Sequence, residues 1–104
     1  MTWSNKRASA LIGKQVLIGV TYLSASGEHV GQVQMHGRIT IAHAENGFCI
    51  ALEGERNGSD YWLPPDLRFF QPAAPGEYHL ESTGEIVRNP DLISQLTSHL
   101  PAQN

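Results

Sequence analysis

At 104 residues and a formal charge of −3 at pH 7, the chain has room for one domain with one modest core. No basic stripe is present to displace phosphate counterions, which argues against nucleic acid, and a single cysteine excludes an internal disulfide framework. Charged residues make up 16%, short of the usual quarter; either a second copy covers some surface or Ser, Gln and Asn stand in for charge.

Residues 1–14 read as a polar lead. Lys6, Arg7 and Lys14 fall there with no acid before Glu28, so the rest of the chain is acidic. The lead lacks the apolar centre of a signal peptide, and no run is long enough to span a bilayer. A cytoplasmic setting, with no membrane partner, is the expectation. Residues 15–104 are expected to form a single small β-barrel domain.

Gln15 to Leu23 is the first expected strand. Val16, Ile18, Val20 and Tyr22 share one face and Leu17 and Leu23 the other, which suits a strand covered on both sides. Ser24-Ala25-Ser26-Gly27 is turn material. From His29 onward Val33, Met35, Ile39 and Ile41 keep one parity through Gly37, so the expectation is one long strand bent at that glycine.

Asn46-Gly47 then signals a tight hairpin, because both residues tolerate positive φ. A two-residue loop would set Glu45 against Phe48, His43 against Ile50 and Ile41 against Leu52. Ile39, Ile41, Phe48, Ile50 and Leu52 would then face inward. Arg38, Cys49 and Glu55 would face outward, with Arg38 opposite Glu55. A second pair, Asn57-Gly58, suggests a return strand through Leu63; a two-residue loop would place Leu63 opposite Leu52, and a wider loop is the alternative. Tyr61 would then cover Gly54, and Trp62 would sit beside Glu53 on the outer face.

Pro64 and Pro65 end that strand, and Leu67 to Phe70 fit one helical turn. Glu77 to Glu81 and Glu85 to Arg88 read as a last hairpin that brings Leu80 near Val87. Asn89-Pro90-Asp91 resembles a helix start, and Leu92, Leu96 and Leu100 recur every fourth residue. A short carboxy-terminal helix is the expectation, with an extended tail as the alternative. The class is therefore all-β: a small, partly open barrel of five to six strands with a one-turn 3-10 helix.

The strand order, the bend at Gly37 and the helical turn after Leu63-Pro64 resemble an SH3-like barrel. Separately, Leu63-Pro64-Pro65-Asp66-Leu67 and the phrase from Pro75 to Val87 are similar to small bacterial proteins of uncharacterised role. Those proteins carry a similar Gly-Glu-Tyr…Ser-Thr-Gly-Glu motif near their carboxy terminus. That resemblance implies an extended tail, and it brings no activity or catalytic residues.

No phosphate-binding loop, nucleophile elbow or dinucleotide fingerprint occurs. His43 and Cys49 are close in sequence, but the two-residue loop would send them to opposite faces, so Cys49 reads as an inert buried thiol. His29, His36 and His43 recur every seventh residue; on a strand only His29 and His43 share a side, and two ligands make no zinc site. Glu53, Glu55 and Asp60 read as acids gathered around Arg38 rather than a catalytic pair.

Trp62 is the residue that points most to binding, because exposed aromatics rimmed by charge often anchor interfaces. The alternative is that the tail, through Leu96 or Leu100, covers it. The expected role is thus a non-enzymatic protein-binding module without cofactor or metal, regulatory or self-associating. Its surface would comprise Trp62, Arg38, Glu53, Glu55 and Tyr61, and its partner would be another protein or a second copy forming a homodimer. The readings set against it are small-ligand or metal binding through His29 and His43, and single-stranded nucleic acid stacked on aromatics.

Overall fold

Short alternating apolar runs separated by glycines and prolines fold into the β-rich chain that their pattern demands. The computed structural model describes residues 3–101. They form α1 (Asn5–Ser9), β1 (Gln15–Leu23), β2 (His29–His43), β3 (Gly47–Leu52), β4 (Asp60–Leu63) and β5 (Gln71–Pro72). The hairpin strands β6 (Glu77–His79) and β7 (Ile86–Arg88) follow, and β8 (Leu92–His99) ends the order. Single 3-10 turns occupy Gly54–Arg56 and Leu67–Phe69. Six strands make one sheet in the order β4-β3-β2-β1-β8-β5, and β6 and β7 pair separately. The ends of the sheet do not meet, so the all-β domain is open rather than a closed barrel.

β1 is the central strand in both senses. It pairs antiparallel with β2 and parallel with β8, and apolar residues bury on both of its faces. Val16, Ile18 and Val20 turn to the inner face, where they meet Met35, Ile39, Phe48, Ile50 and Leu63. Phe48 is the hub there, with its ring centroid 5.3 Å from Trp3 and 4.8 Å from Phe70. Leu17 turns the other way and packs with Leu80 and Val87 of the β6–β7 hairpin. The contact of Leu80 with Val87 and the double covering of β1 follow the sequence pattern.

β2 is one continuous 15-residue strand, as parity through Gly37 requires. It hands its pairing from β1 to β3 at Gly37 and Arg38. The glycine is there for close approach: a Cβ would lie 2.8 Å from Ile50 Cγ2 and would press on the Ala51 carbonyl.

The hairpin register differs from the two-residue-loop expectation. His43 pairs with Gly47, so the loop is three residues, Ala44 to Asn46, and Gly47 closes it at φ 97°. A bulge at Thr40 then shifts the register between Ile39 and Ile41. Ile39 stays inside opposite Ile50, Ala42 comes in opposite Phe48, and Ile41 swings outward opposite Cys49. Ile39 is 1% exposed and Ile41 45%. Arg38 accordingly faces Ala51, not Glu55.

The second Asn-Gly takes its wider form. The turn Gly54–Arg56 fills the loop, and Leu63 pairs with Phe48 rather than Leu52. Tyr61 faces Ile50 on the inner side instead of covering Gly54.

Both termini also depart from the pattern reading. The lead is not simply a solvated tail: Ser4 Oγ accepts from the Arg7 N–H at 3.3 Å, α1 forms, and Ala8 is buried against the core. The tail is a strand and not a helix. A spacing of four is even, so Leu92 and Leu96 share the inner face of a strand as readily as one stripe of a helix. Asn89 and Asp91 act as corner residues instead of a helix cap. Asn89 Oδ1 accepts from the Gly76 N–H at 2.8 Å, and Asp91 Oδ2 accepts from the Gln15 N–H at 2.9 Å.

Candidate functional site

The outer face of β2, β3 and β4 carries two cross-strand rows. Ile41, Cys49 and Trp62 form one; Arg38, Ala51 and Asp60 form the other. Trp62 is 47% exposed, and with Ile41 it flanks Cys49, which is only 3% exposed. The tail does not cover Trp62: β8 lies beyond β1, on the far side of the sheet from β4. Glu53 is not its neighbour either, because the residue opposite Trp62 is Cys49.

β4 also ends the sheet. In an antiparallel pair alternate residues direct their main-chain groups at the partner. The Leu52 N–H donates to the Ser59 carbonyl at 2.9 Å, so by alternation Tyr61 and Leu63 serve β3. The N–H and C=O of Asp60 and Trp62 therefore point to the open edge. Trp62 joins an exposed aromatic ring to backbone groups that pair with none of the described residues.

The five residues singled out in the sequence do not form one cluster. Trp62 stands in the apolar row. Tyr61 lies on the opposite face, and burial, followed by the nearby Tyr22 hydroxyl, holds its phenol above the usual range. Arg38 and Glu53 belong to a separate polar group, with Arg38 Nε 3.4 Å from Glu53 Oε2 and Gln15 Nε2 donating to Glu53 Oε1 at 3.4 Å. Glu55 contributes its backbone N–H, which donates to Glu85 Oε2 at 3.3 Å.

The centre of that polar group is His36, which no sequence signal marked as such. Its Nε2–H donates to Glu85 Oε2 at 3.0 Å, and Nδ1 lies 3.6 Å from Glu53 Oε1. The hydrogen bond from His36 holds the Glu85 carboxyl below the usual range, against the opposing effect of burial; the Thr83 hydroxyl and the Glu55 N–H help. Beside it, Gln34 Oε1 accepts from the Glu81 N–H at 2.8 Å, and the Gln34 N–H donates to Ser82 Oγ at 3.2 Å. The Ser82-Thr83-Gly84-Glu85 phrase thus latches the β6–β7 hairpin onto β2. Its presence was visible in the sequence, but its contact with His36 spans 49 positions and needs the fold.

The pairings proposed for chemistry come apart. The Thr40 bulge puts His43 and Cys49 on the same outer face, contrary to the two-residue-loop register. The imidazole nevertheless turns to the loop, where Nδ1 accepts from the Glu45 and Asn46 N–H groups at 3.1 Å. No hydrogen bond joins it to Cys49 among the described residues. His29 and His43 sit at the two ends of the 15-residue β2. At ~3.3 Å per residue they are on the order of 40 Å apart, too far to share an ion. No cluster of three or more metal-ligating side chains occurs among the described residues. No described helix is long and apolar enough to cross a membrane.

No family model, curated protein or solved structure matches the chain.

Proposed function

We propose that the chain is a protein-binding module that captures an extended segment of a partner along β4. One observation carries this reading: Trp62 presents an exposed ring, and main-chain groups with no partner among the described residues, together at the open edge of the sheet. An added strand would take hydrogen bonds from Asp60 and Trp62 and lay alternate side chains on the outer face. Opposite Trp62, at the end of the row that Cys49 and Ile41 continue, an apolar residue fits; opposite Asp60, two positions along, a cationic one fits. The acidic body favours the approach of such a partner. The buried Cys49, and Tyr61 on the opposite face, have no part in the contact beyond supporting the strand.

Peptide display against the full chain tests the reading. The expected enrichment is of sequences pairing an apolar with a basic residue two positions away, bound at least ~30-fold more weakly by Trp62→Ala, as for a central aromatic anchor. Enriched sequences indifferent to Trp62→Ala would refute it. Sedimentation showing a dimer that Trp62→Ala dissociates would also refute it, by making a second copy the occupant.

A further inference from the structure

β8 carries a second open edge, toward the other end of the sheet from β4 and of different chemistry. β5 pairs with it only at Leu92 and Ile93, and no described strand lies along its outer side beyond them. The Leu100 N–H donates to the Leu23 carbonyl at 2.7 Å, so by alternation Ser94, Leu96 and Ser98 also serve β1. The Asp91 carbonyl, of odd parity, accepts from the Ala73 N–H on the outer side at 3.2 Å. The N–H and C=O of Gln95, Thr97 and His99 therefore point outward, and all three residues are exposed.

Sheet edges are ordinarily blunted by charge, proline or a bulge. Leu92–His99 contains no Lys, Arg, Asp, Glu or Pro, and its register with β1 runs without a shift. An edge with none of these guards is open to another strand.

The register identifies the strand that fits. A copy of β8 turned antiparallel about a two-fold axis at Thr97 sets Thr97 against Thr97 and Gln95 against His99. Every outward residue of both strands then finds a partner. Ile93 would face Pro101 of the second copy; β5 already holds Ile93, and proline has no N–H to offer, so the pairing ends there on both counts. An axis moved to Leu96 drives the second copy into β5, and one moved to Ser98 sets Gln95 against Pro101.

The side chains agree with this axis. The Gln95 carboxamide and the His99 imidazole each offer a donor and an acceptor, and a cross-strand Thr–Thr pair is favourable. No like charges meet, although each copy carries a formal charge of −3. Leu100, 38% exposed, would lie opposite Ser94 of the second copy. There an open groove of about 680 Å³, lined in part by Phe69, Ile93 and Gln95, leaves room for the incoming strand. β4 of another copy fits less well, because Asp60 calls for a cation and β8 has none; such head-to-tail pairing would also not close.

We infer that two copies of the chain pair through β8, antiparallel about Thr97, into one continuous sheet. One β4 edge stays free at each end, so the contact is independent of Trp62.

Sedimentation velocity of the full chain from ~10 μM to ~1 mM tests this, a range set by an interface at the small end of specific contacts. A monomer–dimer equilibrium is expected. Thr97→Lys and Thr97→Asp should each weaken it at least about tenfold, because like charges then meet on the axis. An equimolar mixture of the two variants should dimerise again, and Trp62→Ala should leave the equilibrium unchanged. In the native chain, amide exchange at Gln95, Thr97 and His99 should slow as concentration rises, while that at Asp60 and Trp62 stays constant. A monomer throughout the range, a dimer indifferent to both charged variants, a mixture that stays monomeric, growth beyond the dimer, or exchange at Thr97 independent of concentration would overturn the inference.

Discussion

Ile39 and Ile41 have the same parity in the sequence, yet the bulge at Thr40 buries the first and exposes the second. Replacing each with Thr keeps a β-branched residue on the strand, so intrinsic strand preference cancels in the comparison. At Ile39, 1% exposed, the change removes roughly two methylenes of burial, about 1.6 kcal/mol, and leaves a hydroxyl facing apolar neighbours, about 1–3 kcal/mol more. The sum is about 2.6–4.6 kcal/mol. At Ile41, 45% exposed, only part of the transfer term applies and the hydroxyl reaches water, so the loss stays below about 1 kcal/mol. Urea unfolding of the two variants, fitted with a common slope, reads the difference directly. A gap of at least about 2 kcal/mol is expected. Equal losses would refute the bulged register and restore the plain alternation.

Two further outcomes follow from the packing and the latch. Ser94 Oγ is buried on the inner face beside Ile18 without a hydrogen-bond partner among the described residues; Ser94→Ala should raise stability by about 1 kcal/mol in urea unfolding, and a loss of that size would contradict the placement. Glu85 has its folded-state pKa lowered from 4.5, so its contribution is full above that value and fades as pH falls through the folded one. Amide-exchange protection of β6 and β7 should therefore drop in acid below about 4.5 in the native chain, and Glu85→Gln should remove that pH dependence. An unchanged profile in the variant would count against the latch.

Much of the architecture was legible because hydrophobic parity is a local signal. It gave the doubly covered β1, the unbroken β2, the helical turn beyond Pro65 and the contact of Leu80 with Val87. Register was less legible, for a definite reason. Asn46-Gly47 announces a turn but not its length, and the actual three-residue loop moves every pairing. The bulge at Thr40 then restores Ile39 to the core, so the core list is nearly right while Ile41 and His43 change face. The tail was ambiguous because a spacing of four fits helix and strand alike. Of the candidate site, Trp62 was readable as an outward aromatic. Its place opposite Cys49 depended on the wider loop between Leu52 and Asp60. The His36–Glu85 contact joins segments 49 positions apart in the chain, and no local pattern encodes it.

The face that Ile41 and Trp62 present to water is the point on which the proposed binding surface rests. Attenuation of side-chain NMR signals by a soluble gadolinium chelate measures it in one experiment. The Ile41 methyls and the Trp62 indole should be strongly attenuated, while the methyls of Ile39 and Ile50 are spared. Protection of Ile41 equal to that of Ile39 would contradict the bulge, the apolar row and the binding edge together.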